Sequence, residues 1–333
     1  MNSVNGKVGA NKISVPVIKT DNLTKRYAGS SSVLALDGLN LEVDQGEIFG
    51  YLGPNGAGKT TTIRILMDLI RPTSGKATLL GMDARENSVE IHKRIGFLPG
   101  ELNLWQNEKA INVIRYFARI RGGVNKKYAQ ELADRLQFDV NKRLRDYSTG
   151  NKRKLGLILA LMHQPELLIL DEPTSGLDPL MQQIFIDLMR EWRDAGRTVF
   201  LSSHMLTEVQ SICDRVAILR GGKLQAIETV TRLTHVDFKR ITIEFREPAQ
   251  TGNLANLPGI SELESSGNIL NLRLSGDFDP LLRAIQSQYV VSLKVAEPTL
   301  EEIFLTFYGG NNHHTNATEI STAKNASVVK ERA

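Results

Sequence analysis

The run from Gly53 to Thr61 has the composition of a loop that holds a polyphosphate. It fits the pattern G-x-x-x-x-G-K-[ST], and residues 47–52 predict the strand that such a loop follows. Backbone N–H groups would face the phosphates, and a helix over residues 60–67 would direct its positive end at them. Lys59 would reach the β- and γ-phosphates, while the Thr60 hydroxyl would bind Mg²⁺. A chance match by a glycine-rich turn is the alternative, which the flanking strand and helix disfavour. The residues expected to bind nucleotide are Gly53, Pro54, Asn55, Gly56, Ala57, Gly58, Lys59, Thr60 and Thr61.

Two adjacent acids follow an apolar run of strand length. Residues 167–170 are Leu-Leu-Ile-Leu, and Asp171 and Glu172 come directly after them. Such a run indicates a buried parallel strand that presents its acids at the carboxyl edge of a sheet. We expect Asp171 to hold Mg²⁺ through its water shell and Glu172 to polarise the water that attacks the γ-phosphate. An ordinary acidic turn is the alternative, and the phosphate loop upstream favours catalysis.

Three shorter motifs accompany these two in a fixed order. Residues 147–151 read Tyr-Ser-Thr-Gly-Asn, residues 175–178 read Ser-Gly-Leu-Asp, and residues 202–204 read Ser-Ser-His. With the phosphate loop and the paired acids, they resemble the nucleotide-binding domain of ABC transporters. The resemblance covers about residues 17–230 and rests on five motifs rather than one. It implies an α/β P-loop NTPase core, an inserted helical subdomain at about 101–150, and ATP and Mg²⁺ as cofactors.

The resemblance assigns roles to two further side chains. Tyr27 looks like the aromatic residue that stacks on adenine, and the alternative is a core tyrosine near the first strand. His204 looks like the residue that contacts the γ-phosphate and the attacking water. A lone histidine is more often structural, but this one follows the predicted strand 199–201, which the family places beside the site.

The signature segment around Ser148 has a consequence for assembly. In the family, Ser148 and Gly150 stand at a helix N-terminus and face the γ-phosphate bound by a partner domain. Asp178 would lie at the same interface between the two domains. Since the chain has one set of motifs and no internal repeat, the resemblance implies a dimer of two such domains, as a homodimer or with a paralogous chain.

Two segments depart from the family pattern. The signature has Thr149 and Asn151 where glycine and glutamine are usual, with Tyr147 in place of leucine. After Pro99, the family has a glutamine that binds Mg²⁺, and this chain has Gly100. The carboxylate of Glu101 is a candidate metal ligand in its place, and a solvated surface acid is the alternative.

Length and composition set limits on the class of protein. A chain of 333 residues is longer than most domains that fold around a single hydrophobic core, so two domains are expected. The net charge of +4 is small for this length, which argues against a dedicated nucleic-acid binder. The single cysteine, Cys213, allows no internal disulfide. No apolar stretch is long enough to cross a bilayer, so a transporter of this kind would need a separate membrane-spanning subunit.

The chain after Arg232 changes character. Residues 241–245 and 269–274 alternate like half-buried strands, 281–288 indicate a helix, and 290–295 indicate another strand. A capping box at 299–302 predicts a last helix. We interpret 17–233 as the nucleotide-binding domain and 237–309 as a small α+β regulatory or accessory domain, with disordered tails at 1–16 and 311–333. The second domain resembles an extension found on ATPase subunits of drug, antibiotic and polysaccharide exporters.

Two functions are compatible with these motifs. The first is the ATP-hydrolysing motor subunit of an exporter, bound to a permease at the cytoplasmic face of the membrane. The second is a soluble ABC ATPase that acts on ribosomes, RNA or DNA. Relatives of the second kind usually carry two such domains in one chain or long coiled coils, and neither is present in this sequence.

Overall fold

The computed structural model describes residues 15–28, 32–234, 238–252 and 254–296, which divide into two compact units after Thr234. In the described part of the first unit, the strands are β1 (Ile18–Tyr27), β2 (Val33–Val43), β3 (Ile48–Leu52), β4 (Ser74–Leu79), β5 (Met82–Asp83), β6 (Ile95–Leu98), β7 (Leu167–Asp171), β8 (Thr198–Ser203), β9 (Arg215–Arg220) and β10 (Lys223–Thr229). The helices of the same part are α1 (Lys59–Leu66), α2 (Ser88–Arg94), α3 (Ala110–Ile120), α4 (Lys126–Arg135), α5 (Thr149–Leu161), α6 (Pro179–Asp194), α7 (Leu206–Ile212) and α8 (Val230–Thr234).

The central sheet of this unit has the order β10-β9-β3-β8-β7-β6. Strands β9, β3, β8, β7 and β6 run parallel, and β10 is antiparallel at one edge. All residues of β3, β7 and β8 are buried, because both faces of a parallel sheet are covered. Their continuous apolar runs therefore predicted these strands correctly. In the sheet, β8 lies between β3, which leads into the phosphate loop, and β7, which ends at Asp171.

A second, antiparallel sheet has the order β2-β1-β4-β5. Apolar residues of β1 and β2, such as Leu23 and Leu41, pack in one core with Phe49 and Tyr51 of the central sheet. This shared core fixes the end of β1, where Tyr27 lies, relative to β3.

The helical segment between the phosphate loop and the signature contains α3, α4 and a short 3-10 helix at Leu144–Asp146. These elements lie within residues 101–150, the range in which the resemblance implied a helical subdomain. Asn125 starts α4 by accepting hydrogen bonds from the backbone N–H groups of Lys127 and Tyr128. None of the helices that the structure describes is both long enough and apolar enough to cross a bilayer.

Over its described residues, the second unit is an antiparallel sheet with one α-helix and one short 3-10 helix. Its elements are β11 (Phe238–Phe245), a 3-10 helix (Leu254–Asn256), β12 (Ile260–Ser266), β13 (Ile269–Ser275), α9 (Asp279–Ile285) and β14 (Val290–Ala296), with strand order β12-β13-β11-β14. Alternate residues of β11 and β13 form its core with Leu281 and Ile285 of α9. The predicted strands are confirmed, whereas β12 was not predicted and α9 begins two residues earlier than expected. The predicted last helix and nearly all of both predicted tails lie outside the described residues.

Candidate functional site

The phosphate loop joins β3 to α1 at the carboxyl edge of the central sheet. The residue before α1 is Gly58, which has φ 111°. A β-carbon at this position would lie 2.6 Å from the carbonyl oxygen of Ala35, so both the backbone angle and the close approach require glycine. The backbone N–H of Gly53 donates to the carbonyl of Ser203 at 3.3 Å, which ties the loop to the end of β8.

Lys59 lies beneath this loop as the first residue of α1. Its side chain is only 6% exposed, and its ammonium donates to the carbonyl oxygens of Gly53 at 2.6 Å and Pro54 at 3.3 Å. The same nitrogen is 3.5 Å from a carboxylate oxygen of Glu172. The positive charge is therefore held between the loop expected to bind phosphate and the acid expected to activate water.

The two residues expected to hold Mg²⁺ touch each other. The Thr60 hydroxyl donates to Asp171 Oδ2 at 2.9 Å, across 111 positions of sequence. Among the described residues there is no cluster of three or more His, Cys, Asp or Glu side chains that could hold a metal. One hydroxyl and one carboxylate suit Mg²⁺, which keeps several waters and takes its other ligands from phosphates. Bound there, Mg²⁺ would neutralise charge on the β- and γ-phosphates.

Ser202, to which no sequence motif assigned a role, fixes both acids. Its hydroxyl donates to Asp171 Oδ1 at 2.5 Å and accepts from the backbone N–H of Glu172 at 3.1 Å. Ser202 stands directly opposite Asp171 in the β7 and β8 pairing. The signal for this contact lies in the strand register rather than in any local motif.

Glu172 and His204 form a close pair. His204 Nδ1 is 2.7 Å from Glu172 Oε2, and the histidine remains 49% exposed. Glu172 has φ 51°, a left-handed conformation that costs a non-glycine residue about 1–3 kcal/mol. This strain turns the carboxylate away from the direction of Asp171 and toward His204 and Lys59.

The start of α5 and the loop at 175–178 are packed together within one chain. Ser148 caps α5 by accepting from the Asn151 backbone N–H at 3.3 Å. A β-carbon at Gly150 would lie 2.4 Å from the carbonyl oxygen of Gly176, so a larger residue would displace that loop. Asp178 caps α6 by accepting from the backbone N–H of Met181 at 3.0 Å. The structure brings Ser148, Gly150 and the 175–178 loop to one surface.

The turn after β6 brings Gly100, not Glu101, against Asp171 of the pair expected to hold Mg²⁺. A β-carbon at Gly100 would lie 3.1 Å from Asp171 Oδ2, whereas Glu101 is exposed. Arg153 of α5 holds this turn by donating to the carbonyls of Pro99 at 2.7 Å and Gly100 at 2.8 Å. Burial lowers the pKa of the Arg153 guanidinium, and the nearby charges of Asp171 and Glu172 oppose that shift. No local sequence pattern pointed to Arg153, and a metal-binding role for Glu101 stays a prediction.

Tyr27 ends β1 and is 38% exposed. A core tyrosine would be buried, so this exposure disfavours the structural alternative. The Lys25 ammonium lies 5.1 Å from the centre of its ring. An exposed aromatic ring with a cation nearby is suited to stacking on a purine, and the adenine contact stays a prediction.

Taken together, these residues form one candidate site for the hydrolysis of a nucleoside triphosphate. A buried cation and a glycine-rich loop face the place of the phosphates, two hard oxygen donors suit Mg²⁺, and a carboxylate paired with a histidine lies beside them. In phosphoryl transfer, catalysis comes from positioning and charge stabilisation, and this arrangement supplies both.

The sequence matches two family models. Residues 36–175 match the ABC transporter model, and residues 235–308 match the model of the carboxy-terminal domain of DrrA1-3-like ATP-binding proteins. The chain is 42% identical over 214 residues to the bacitracin transport ATP-binding protein BcrA of Bacillus licheniformis, which covers 62% of this chain and 68% of that protein. It is 34% identical over 307 residues to the daunorubicin resistance ATP-binding protein DrrA3 of Streptomyces coeruleorubidus, covering 88% and 96%.

Solved structures give the same answer for the fold. An ATP-binding subunit of an ABC transporter superposes with a TM-score of 0.59 at 26% identity, covering 65% of this chain and 91% of that one. A dimeric ATP-binding cassette in a post-hydrolysis state, bound to ADP and Pi, superposes with a TM-score of 0.58 at 25% identity, covering 64% and 98%. With a glycine-rich phosphate loop, paired acids and a signature helix on this fold, the chain belongs to the ATP-binding proteins of the ABC transporter family, and its first unit is an ABC ATPase domain.

Proposed function

We propose that this chain is the motor subunit of an exporter and that it drives transport through a separate membrane-spanning permease. The site formed by Lys59, Glu172 and His204 carries the proposal. In it, the carboxylate of Glu172 lies within ion-pair distance of Lys59, the cation expected to bind phosphate, and within hydrogen-bond distance of His204. The relatives named for bacitracin transport and daunorubicin resistance, and the DrrA1-3-like second domain, support export over an action on ribosomes, RNA or DNA.

The permease would hold the chain at the cytoplasmic face of the membrane. The helical segment offers a candidate surface for that subunit, because Trp105 is 50% and Tyr116 is 48% exposed there. Their rings meet edge to face with centres 4.9 Å apart beside a groove of about 850 Å³, which Arg115, Arg119 and Glu108 also line. Exposed aromatic residues with a charged rim are typical of protein interaction sites. We assign this groove to a cytoplasmic segment of the permease.

Replacing both Trp105 and Tyr116 with alanine should weaken binding to the permease at least about tenfold, because truncation of an interface tryptophan or tyrosine often costs about 2 kcal/mol or more. Basal ATPase activity of the isolated chain should not change. The measurement is co-purification with the co-expressed permease, followed by permease-stimulated ATPase turnover. Leu69→Ala, which removes another exposed apolar side chain, is the matched control. Parent-level binding and stimulation in the double variant would contradict the assignment.

The complete hydrolytic site would form between two domains of this kind. Ser148 and Gly150 begin α5 on the surface that also carries the 175–178 loop, and Ser148 is exposed there. The N-terminus of α5 is thus available to the γ-phosphate of a partner domain. Mg²⁺ and ATP would be sandwiched between the phosphate loop of one domain and Ser148 of the other.

Mixing a Ser148→Arg chain with a Lys59→Ala chain should restore part of the ATPase activity that each lacks alone. The mixed dimer pairs an intact phosphate loop from the first chain with an intact signature from the second. Activity and ATP bound per dimer are measured across mixing ratios, with each variant alone as the control. If mixed dimers bind ATP in one site and stay inactive at every ratio, the signature does not act in trans as proposed.

A further inference from the structure

The carboxylate of Glu208 joins two loops of the site and has no part in the roles assigned above. Glu208 lies in α7, directly after the turn that carries His204. Its Oε1 accepts a hydrogen bond from the Thr174 hydroxyl at 2.7 Å, and its Oε2 accepts one from the Ser203 hydroxyl at 2.5 Å. One carboxylate therefore links the segment after β7 to the end of β8.

The Thr174 side of this link leads to the surface proposed to meet a partner domain. The carbonyl of Thr174 accepts from the backbone N–H of Leu177 at 3.0 Å, which shapes the turn before Asp178. Within that turn, the carbonyl of Gly176 lies against Gly150 at the start of α5. A displacement of Thr174 would thus be passed to the loop at 175–178.

The Ser203 side of this link leads to Glu172 and His204, the hydrolytic pair. Ser203 immediately precedes His204, and its hydroxyl oxygen also accepts from the backbone N–H of Met205 at 3.0 Å. This pair of hydrogen bonds fixes the turn on either side of His204, whose ring lies 2.7 Å from Glu172. The orientation of the histidine therefore depends on the position of Ser203.

A carboxylate at this place is costly unless it is well compensated. Burial raises the pKa of Glu208, the hydroxyl donors of Ser203 and Thr174 lower it, the charge of Glu172 raises it again, and His204 lowers it. The carboxylate of Glu208 is thus close enough to interact electrostatically with both Glu172 and His204. Two neutral hydroxyl donors and a half-exposed histidine compensate it only in part, which suggests a function beyond packing α7.

We propose that Glu208 is a positioning residue that couples the 175–178 loop to the His204–Glu172 pair, so that contact with a partner domain is transmitted to the water-activating groups. The inference rests on the proposed roles of Glu172 and His204. Glu208 itself does not touch the nucleotide or the water. It acts by holding Thr174 and Ser203 at a fixed separation.

The test compares Glu208→Ala, Thr174→Val, Ser203→Ala and the double variant Thr174→Val/Ser203→Ala in the full-length chain. We expect Glu208→Ala to lower kcat by about 10- to 100-fold with KM and ATP affinity within about twofold of the parent, since misplacement of a catalytic group affects turnover rather than binding. Each single hydroxyl variant should lower kcat, and the double variant should lose little more than the worse single variant, because either change breaks the same link.

Two controls separate this role from a structural one and from failure of the proposed site. Ser211→Ala removes a hydroxyl that donates at 2.7 Å to the backbone carbonyl of Glu208, not to its carboxylate, and should keep the parent kcat. Glu172→Gln is measured in parallel: if it is inactive while Glu208→Ala keeps the parent kcat, the coupling alone is refuted, and if Glu172→Gln is active, the assigned pair is wrong. The inference would be overturned if the losses of kcat in the two single hydroxyl variants multiplied in the double variant. It would also be overturned if KM changed as much as kcat. Should Glu208→Ala fail to fold, the two hydroxyl variants and their combination decide.

Discussion

Replacing Glu172 with glutamine is expected to leave ATP binding intact and to lower hydrolysis by roughly 10²- to 10⁴-fold, the range for loss of a general base. The amide keeps the size of the carboxylate but cannot accept a proton from the attacking water. The 2.7 Å contact with His204 and the left-handed backbone of Glu172 place this carboxylate apart from the pair expected to hold Mg²⁺, so the loss should fall on hydrolysis rather than on binding. A dimer with bound ATP should accumulate, because the step that releases it is blocked.

The measurement is steady-state turnover, together with ATP binding and the size of the ATP-bound species. Glu166→Gln is a matched control, since it makes the same change at the opposite end of the same strand. There the side chain forms an exposed ion pair with Arg94 at 2.7 Å, which contributes at most about 1 kcal/mol. That variant should turn over normally. Near-normal turnover of Glu172→Gln would mean that another group activates the water.

Replacing Lys59 with alanine is expected to weaken ATP binding by about 10²-fold or more. The ammonium is buried between the loop carbonyls and Glu172, and from that position it would meet the phosphates of a bound nucleotide. Truncation of one partner of a buried charge pair costs about 2–5 kcal/mol, and each 1.4 kcal/mol is a tenfold change in affinity. Hydrolysis should fall as well, because the nucleotide is not held.

Binding of a fluorescent ATP analogue measures this effect, with the thermal unfolding midpoint recorded to show that the variant is folded. Lys93→Ala is the control, since Lys93 is an exposed lysine of α2 that pairs with Glu90 at 3.0 Å. It should bind the nucleotide like the parent. Tight ATP binding by a folded Lys59→Ala chain would contradict the assignment of the phosphate loop.

The local sequence pattern predicted the type of an element correctly where burial alone decided its composition. Strands β3, β7 and β8 are buried on both faces, so their apolar runs were unambiguous. The start of α5 at Thr149 agrees with the helix N-terminus that the resemblance implied, whereas periodicity gave no signal there, because the Ser148 cap lies in a polar stretch without apolar periodicity. Strand β12 was missed, because it is an edge strand of mostly polar, exposed residues with no buried face to impose alternation.

The sequence alone predicted the phosphate loop, the two acids and the histidine, because each of these motifs consists of residues that are neighbours in the chain. Only the tertiary structure decided which side chains support them. The strand order places β8 between β3 and β7, so Ser202 meets Asp171 and Glu208 spans Thr174 and Ser203. Arg153 likewise reaches Pro99 and Gly100 from a helix more than fifty positions away. No local pattern encodes such contacts, since they arise from the pairing of strands and the packing of helices that are distant in sequence.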